Sequence, residues 1–104
     1  MTTTTVQVLQ ALLDDPKTER YGLEIMALTE LPSGTVFPIL ARFEVLGWLV
    51  SGWEVVDSSV AGRPRRRYYR LTEEGLEAAG AALVRVRSER AQRASLLRPA
   101  GGLS

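Results

Sequence analysis

The 104-residue chain contains no cysteine and no histidine. It therefore has no disulfide framework, no thiolate nucleophile, no imidazole base and no ordinary zinc site. Lysine is nearly missing as well, since the 13 basic residues are Lys17 and otherwise arginine. No apolar run approaches the roughly 20 residues that cross a bilayer, and Met1 to Thr5 lacks the basic, apolar, small-residue order of a secretory signal. A cytoplasmic protein with no membrane partner is the expectation. No nucleophile and base pair, phosphate loop or metal-ligand cluster is visible, so no catalytic residue, metal or cofactor is assigned, and an enzyme is not expected.

What is present suits one globular domain with a modest core: 45% of residues are hydrophobic and 24% charged. The net charge of +1 conceals a division. Residues 1–56 carry 3 basic and 7 acidic side chains and residues 57–104 carry 10 and 5, so the halves are −4 and +5. A basic second half suits an anionic partner, and arginine offers a planar fork for phosphate or guanine, although arginine in place of lysine reflects genomic base composition equally well.

The polar start, with Thr4 or Thr5 as cap, leads into a helix that runs to about Asp14, its apolar residues Val6, Leu9, Leu12 and Leu13 recurring at helical spacing before Pro16. A second helical segment, roughly Tyr21 to Thr29, offers Leu23, Ile25, Met26 and Leu28 and is too short to stand without tertiary contacts. Leu31-Pro32-Ser33-Gly34-Thr35 then makes a tight break. Ser33 supplies an N-cap hydroxyl for a third helix ending near Leu46-Gly47. Along that helix Val36, Ile39, Leu40, Phe43 and Leu46 fall on one side, leaving Gly34, Thr35, Pro38, Ala41, Arg42 and Val45 on the other. Pro38 deletes one backbone hydrogen bond, which predicts a kinked or tightened first turn.

After Gly47 the period changes. Trp48 to Val56 and Arg67 to Leu71 read as strands separated by the polar Asp57 to Arg66, a two-stranded hairpin with a long tip that lies on the helices through some of Leu49, Trp53, Val55, Tyr69 and Leu71. Thr72 caps the last helix, and Glu73 and Glu74 complement its dipole. There Leu76, Ala79, Leu83 and Val86 form a narrow seam that one short domain cannot easily bury, so a partner subunit is expected to cover it. The seam fails at Arg90 and Arg93, and residues 98–104 read as a disordered tail.

The fold class expected is therefore mainly α with a small β-hairpin (α+β), a winged helix-turn-helix with a C-terminal dimerisation helix. Within a single domain, residues 5–71 form the DNA-binding part and residues 72–97 the dimerisation helix. A helix about 10–12 Å across fits the major groove of B-form DNA, and such proteins insert the N-terminal part of the motif's second helix. Here that means Ser33, Gly34 and Thr35, with Arg42 further along reaching the backbone. Arg63, Arg65, Arg66 and Arg67 cluster around Gly62 and Pro64, and a single-sign cluster repels itself unless an anion neutralises it; phosphates beside the minor groove are the natural candidate.

At Ser33-Gly34-Thr35-Val36-Phe37-Pro38-Ile39-Leu40, and again from Gly62-Arg63-Pro64-Arg65-Arg66-Arg67-Tyr68-Tyr69-Arg70 to Leu71-Thr72-Glu73-Glu74-Gly75, the chain resembles the PadR-like family of bacterial regulators. The resemblance extends from Val6 to about Leu83. It implies a repressor that binds double-stranded operator DNA as a homodimer, adds Phe37 and Pro38 to the DNA-binding set, and draws dimer contacts from the first and last helices: Val6 and Leu9 with Leu76, Ala79, Leu83 and Val86. Phe37 stands where the family commonly has Tyr, which removes a hydroxyl that could bond phosphate, and Val36 where Leu is frequent. The last helix is shorter than in many members, so no small-molecule effector is carried over.

Blander readings cover several residues. Val36, Leu40 and Phe43 are core; Trp48, Trp53, Tyr68 and Tyr69 read as packing before pocket; Glu73, Glu74 and Glu77 serve the helix start and not acid–base chemistry. The competing function is a winged-helix interaction module, of accessory or anti-repressor type, whose arginines dock an acidic protein surface.

Overall fold

The computed structural model describes residues 1–97. The tail read at 98–104 lies outside the described residues. Helix α1 (Thr3–Asp14) is capped by Thr2, two or three residues before the expected Thr4 or Thr5, because the Thr2 hydroxyl accepts from the Thr5 N–H at 3.3 Å and bonds the Thr5 hydroxyl at 2.8 Å. Thr5 itself is buried inside the helix. Then come β1 (Arg20–Tyr21), α2 (Gly22–Thr29), α3 (Ser33–Val45), β2 (Leu49–Trp53), the single turn α4 (Ser58–Ala61), β3 (Arg67–Leu71) and α5 (Glu73–Leu97).

One core joins these elements. Val8, Leu9 and Leu12 of α1, Ile25 of α2, Val36, Ile39, Leu40 and Phe43 of α3, Leu49 and Tyr69 of the sheet, and Ala79 and Ala82 of α5 form a single buried cluster. Each large aliphatic side chain so buried contributes roughly 1.5–3 kcal/mol. Leu46, expected on this inner face, is half exposed because the helix has ended at Val45 and Leu46 serves as its C-cap. Trp48 partly covers the same end of the core, stacked on Phe43 at 5.4 Å.

The sheet has three antiparallel strands, not two, in the order β1-β3-β2. Leu49 faces Leu71, Ser51 faces Tyr69 and Trp53 faces Arg67, while Arg20 and Tyr21 pair with Tyr69 and Tyr68 on the other edge. A two-residue strand is too short to leave a period in the sequence. β2 also stops at Trp53, short of the expected Val56, and Trp53 and Val55 are exposed. Of the hairpin residues expected against the helices, Leu49 and Tyr69 are buried and Leu71 is partly so. At the tip, the Asp57 carboxylate accepts from the Ser59 N–H and hydroxyl at 3.0 and 2.7 Å and starts the turn of α4.

The last helix is fixed at its root. The Thr72 hydroxyl donates to the Gly47 carbonyl at 2.7 Å and accepts from the Gly75 N–H at 2.9 Å, and the Thr72 N–H donates to the Trp48 carbonyl at 3.0 Å. From there α5 packs on α1. The seam expected to await a partner is corrected here: Ala79 is 0% and Leu83 8% exposed in the single chain, and Val6 and Leu9 are buried there too. Alanines at 79 and 82 let α1 come close enough to fill what a sequence pattern presents as an open stripe. Leu76 remains exposed and Val86 partly so. Among the described residues no single helix is long and apolar enough to cross a membrane.

Gly75 sits where α5 meets the Trp48 backbone, and a Cβ there would lie 2.0 Å from the Trp48 carbonyl oxygen. At Gly80, five residues on, a Cβ would have nothing within 4 Å. Gly75→Ala is expected to cost about 2 kcal/mol or more, as overpacking does, and to lower Tm by roughly 10 °C for a domain of this size. Gly80→Ala is expected to raise stability by about 0.5–1 kcal/mol through helix propensity. Thermal denaturation of the pair checks both signs.

Candidate nucleic-acid interface

α2 and α3 are joined by three residues, and their axes turn through 117°, within the range of helix-turn-helix motifs. Glu30 takes a left-handed conformation at φ 58° to end α2. The Thr29 hydroxyl donates to the Ile25 carbonyl at 2.7 Å and accepts from the Leu31 N–H at 3.3 Å, so side-chain bonds close the turn on both sides. At the other end of α2 the Tyr21 N–H donates to Glu24 at 2.9 Å.

α3 starts one residue earlier than expected. Pro32 is the N-cap, and its carbonyl accepts from the N–H groups of both Thr35 and Val36 at 3.0 Å. Ser33 is thus the first helical residue and not the cap, and its hydroxyl is released from capping. The N–H groups of Ser33 and Gly34 point out of the first turn as donors without helical acceptors. The helix continues through Pro38, whose missing N–H leaves the exposed Gly34 carbonyl to solvent. Ser33, Gly34, Pro38, Ala41 and Arg42 are exposed and Thr35 is partly so. Phe37 is 39% exposed, with one side of its ring pressed on Gly22, where a Cβ would come within 2.6 Å of it.

The four wing arginines do not form a uniform cluster. Arg63 pairs with Glu54 through both terminal nitrogens, the longer bond being 3.3 Å. Glu54 also accepts from the Arg66 N–H at 2.9 Å and the Tyr21 hydroxyl at 3.2 Å. Its carboxyl is accordingly held down to about 2, first by Arg63 and then, against the opposing effect of burial, by the Arg66 N–H and Tyr21. Bonding to Glu54 is the main cause that raises the Tyr21 hydroxyl above its ordinary range. Arg67 bonds the Ser51 hydroxyl at 2.6 Å, lies 3.8 Å from the Glu44 carboxylate and covers the Trp53 ring at 5.5 Å. Arg65 donates its Nε to the Val56 carbonyl at 3.1 Å, and the Arg66 guanidinium lies 5.7 Å over the Tyr21 ring.

The expectation that this single-sign cluster lacks internal neutralisation is therefore corrected for Arg63 and Arg67, whose counter-charges come from Glu54 and Glu44. Arg65 and Arg66 are exposed and, among the described residues, make no ion pair. A cleft of about 160 Å³ is lined by Tyr21, Gly22 and Leu23, by Phe37 of α3 and by Arg66 and Arg67 of the wing root. It brings the start of α3 and the wing root to one side of the molecule. Tyr21, Glu44 and Glu54 belong to this site although the sequence pattern alone did not single them out. A lone carboxylate in the apolar run Trp53-Glu54-Val55-Val56, followed by arginines, was the available signal for Glu54.

The model of the PadR-like family of transcriptional regulators matches residues 8–81. Among curated proteins, none matches the chain. Among solved structures, a PadR family transcriptional regulator from Eggerthella lenta DSM 2243 superposes with a TM-score of 0.73 at 23% identity, covering 91% of this chain and 85% of that one. A PadR family transcription regulator from Clostridium difficile R20291 gives 0.72 at 22% identity, covering 93% of this chain and 100% of that one. Staphylococcus aureus MepR, in a DNA-binding conformation, gives 0.66 at 17% identity, covering 94% of this chain and 67% of that one. At these identities the likeness carries the winged-helix fold.

The depressed Glu54 carboxyl fixes a pH dependence. Its folded value of about 2 lies below its ordinary 4.5, so the stabilisation is fully present above pH 4.5 and fades as pH falls towards 2. Melting curves across that window are expected to show the wild type losing its advantage over Glu54→Gln as acid is added. Parallel acid profiles for the two proteins would contradict the pairing.

Proposed function

The chain belongs to the PadR-like family of transcriptional regulators, and we propose that this DNA-binding regulator acts as a repressor, gripping operator DNA as a homodimer. The observation that carries the reading is the common cleft of Phe37 with Arg66 and Arg67, which sets the bare start of α3 beside the cationic wing. A rod that enters the major groove and a ribbon that reaches the next minor groove must share one side, because a single phosphate strand separates the two grooves.

In this reading Ser33, Gly34 and Thr35 enter the major groove first. The unpaired N–H groups of the first turn and the positive end of the helix dipole meet phosphate, and the Ser33 hydroxyl reaches a phosphate or a base edge. Phe37 and Pro38 supply apolar contact of the kind a thymine methyl receives, and Arg42 reaches the backbone further along. Among the wing residues Arg63, Arg65, Arg66 and Arg67, the exposed guanidinium groups lie against phosphates flanking the minor groove. Bound across a promoter, the protein represses by occupying the site.

The homodimer is supported by α5. Its last buried residue is Leu83, yet the helix runs on to Leu97, leaving Val84, Leu96 and Leu97 exposed. Fourteen residues of helix beyond the core span about 21 Å, and a second copy related by a two-fold axis can cover the side of them that continues the buried seam, Val86 and Leu97, together with the exposed Leu76. The buried Val6, Leu9, Ala79 and Leu83 then hold α5 on α1 from beneath.

Selection of bound fragments from genomic DNA tests the whole reading. Enriched fragments are expected to carry inverted half-sites about one helical turn, roughly 34 Å, apart, and affinity is expected to fall steeply with salt as counterions are released. Sedimentation of the free protein is expected to give twice the chain mass. Enrichment of no fragment, or salt-independent binding, would overturn the DNA reading; a monomer in the sedimentation run would overturn the dimer.

A further inference from the structure

Glu54 is an unusual residue to find at the root of a wing. It follows β2 directly, is 9% exposed, and receives four side-chain or backbone donors on its two oxygens. Those donors come from three separate places in the chain: Arg63 at the end of the tip, Arg66 on the approach to β3, and Tyr21 in β1. The Glu54 N–H completes the arrangement by donating to the Arg66 carbonyl at 2.9 Å, which extends strand pairing one step beyond the end of the ladder. One carboxylate therefore sets the course of the tip relative to both neighbouring strands and to the residue before α2.

A carboxylate that has lost its water must keep its partners. If Arg63 left to meet a phosphate, Glu54 would remain buried and uncompensated, and its charge would repel the same phosphate. Arg65 and Arg66 carry no such obligation. Among the described residues Arg65 bonds through its Nε alone, to the Val56 carbonyl, and Arg66 is held by the face of Tyr21 without an ion pair. The Arg66 N–H is held by Glu54 while its side chain is exposed over the Tyr21 ring, so the anchor and the exposed cation share one residue.

We propose that Glu54 is the positioning residue of the wing and Arg63 its internal counter-charge, so that the wing's phosphate contacts are made by Arg65 and Arg66. This division of labour rests on the DNA-binding reading above and refines it.

Two measurements test it on the full chain. The first is affinity for an enriched genomic duplex between about 50 and 200 mM salt, where removing one phosphate contact lowers the slope of log affinity against log salt by about one. Arg65→Ala and Arg66→Ala are each expected to flatten the slope by about one. Glu54→Gln and Arg63→Met are expected to weaken binding about tenfold at every salt with the slope unchanged. The double variant Glu54→Gln/Arg63→Met is expected to bind more tightly than Arg63→Met alone, because the second change removes the stranded carboxylate. A slope lowered by one in Arg63→Met, with no recovery in the double variant, would make Arg63 a phosphate contact and overturn the proposal.

The second measurement uses no DNA. Trypsin cleaves after Arg65 and Arg66 but is blocked at Arg63 by the following Pro64, so none of these changes at 54 and 63 alters the cutting sites. Nicking of the free protein is expected to quicken severalfold in Glu54→Gln and Arg63→Met and to slow again in the double variant. Equal nicking in all four proteins would overturn the positioning role even if no duplex binds the wild type, an outcome that would by itself sink only the DNA reading.

Discussion

Because α3 is buried chiefly by its inner face, with Val36, Ile39, Leu40 and Phe43 in the common core while Ser33, Gly34, Pro38, Ala41 and Arg42 are exposed, every other element has to be arranged without covering those outer residues. The inner side chains fix the rod's axis and rotation. α1 and α2 brace it from behind, and Leu49 and Tyr69 close the core from the sheet side. A recognition surface, the role proposed for α3, has to be both rigid and bare, and one-sided burial satisfies the two demands at once. Starting the helix from Pro32, with no side-chain cap, has the same consequence at the tip: the first N–H donors are left for whatever the rod meets.

Much of this was legible in the sequence because it follows from local rules. Helical spacing of Val6, Leu9 and Leu12, the Leu31-Pro32 break, the inward set on α3 apart from Leu46, and the Thr72 cap appear in the structure where they were expected. Other features depend on contacts that no local pattern encodes. Arg20–Tyr21 becomes a strand solely because β3 offers an edge. Trp53 lies outside the core because it stands at the far end of β2, where only the Arg67 guanidinium lies over its ring, and the stripe of α5 is filled by α1 because Ala79 and Ala82 allow a close approach. At the site, the outward residues of α3 could be read from period alone. The division among the arginines could not, since Arg63 and Tyr21 reach Glu54 across 9 and 33 positions of sequence.

The charge division is reinterpreted by the same contacts. The acidic first half and the basic second half are not two separate surfaces, because Glu44 and Glu54 from the first half sit among arginines of the second. What faces outward is the remainder after these pairs are removed. Arginine is specifically suited to both internal roles: a fork that meets two carboxylate oxygens at Glu54, and a plane that lies over the Trp53 ring while its edge reaches Ser51 and Glu44. A lysine at either place would supply charge without that geometry.

These elements meet at Gly47-Trp48, which ties α3, the hairpin and α5 into one mechanical unit. Trp48 stacks on Phe43 at the end of α3, its N–H donates to the Phe43 carbonyl at 2.9 Å, and its carbonyl accepts from Thr72 at the root of α5. β2 starts at the next residue. Gly75 admits the Trp48 backbone at a distance no side chain would tolerate, so the angle between α5 and the wing is set by backbone contact and cannot relax through a rotamer. In a two-fold assembly built on α5, the separation and tilt of the two reading rods would be fixed through this junction. Half-site spacing would then be a property of backbone packing around Trp48 and not of the groove-facing side chains, which remain free to vary without disturbing it.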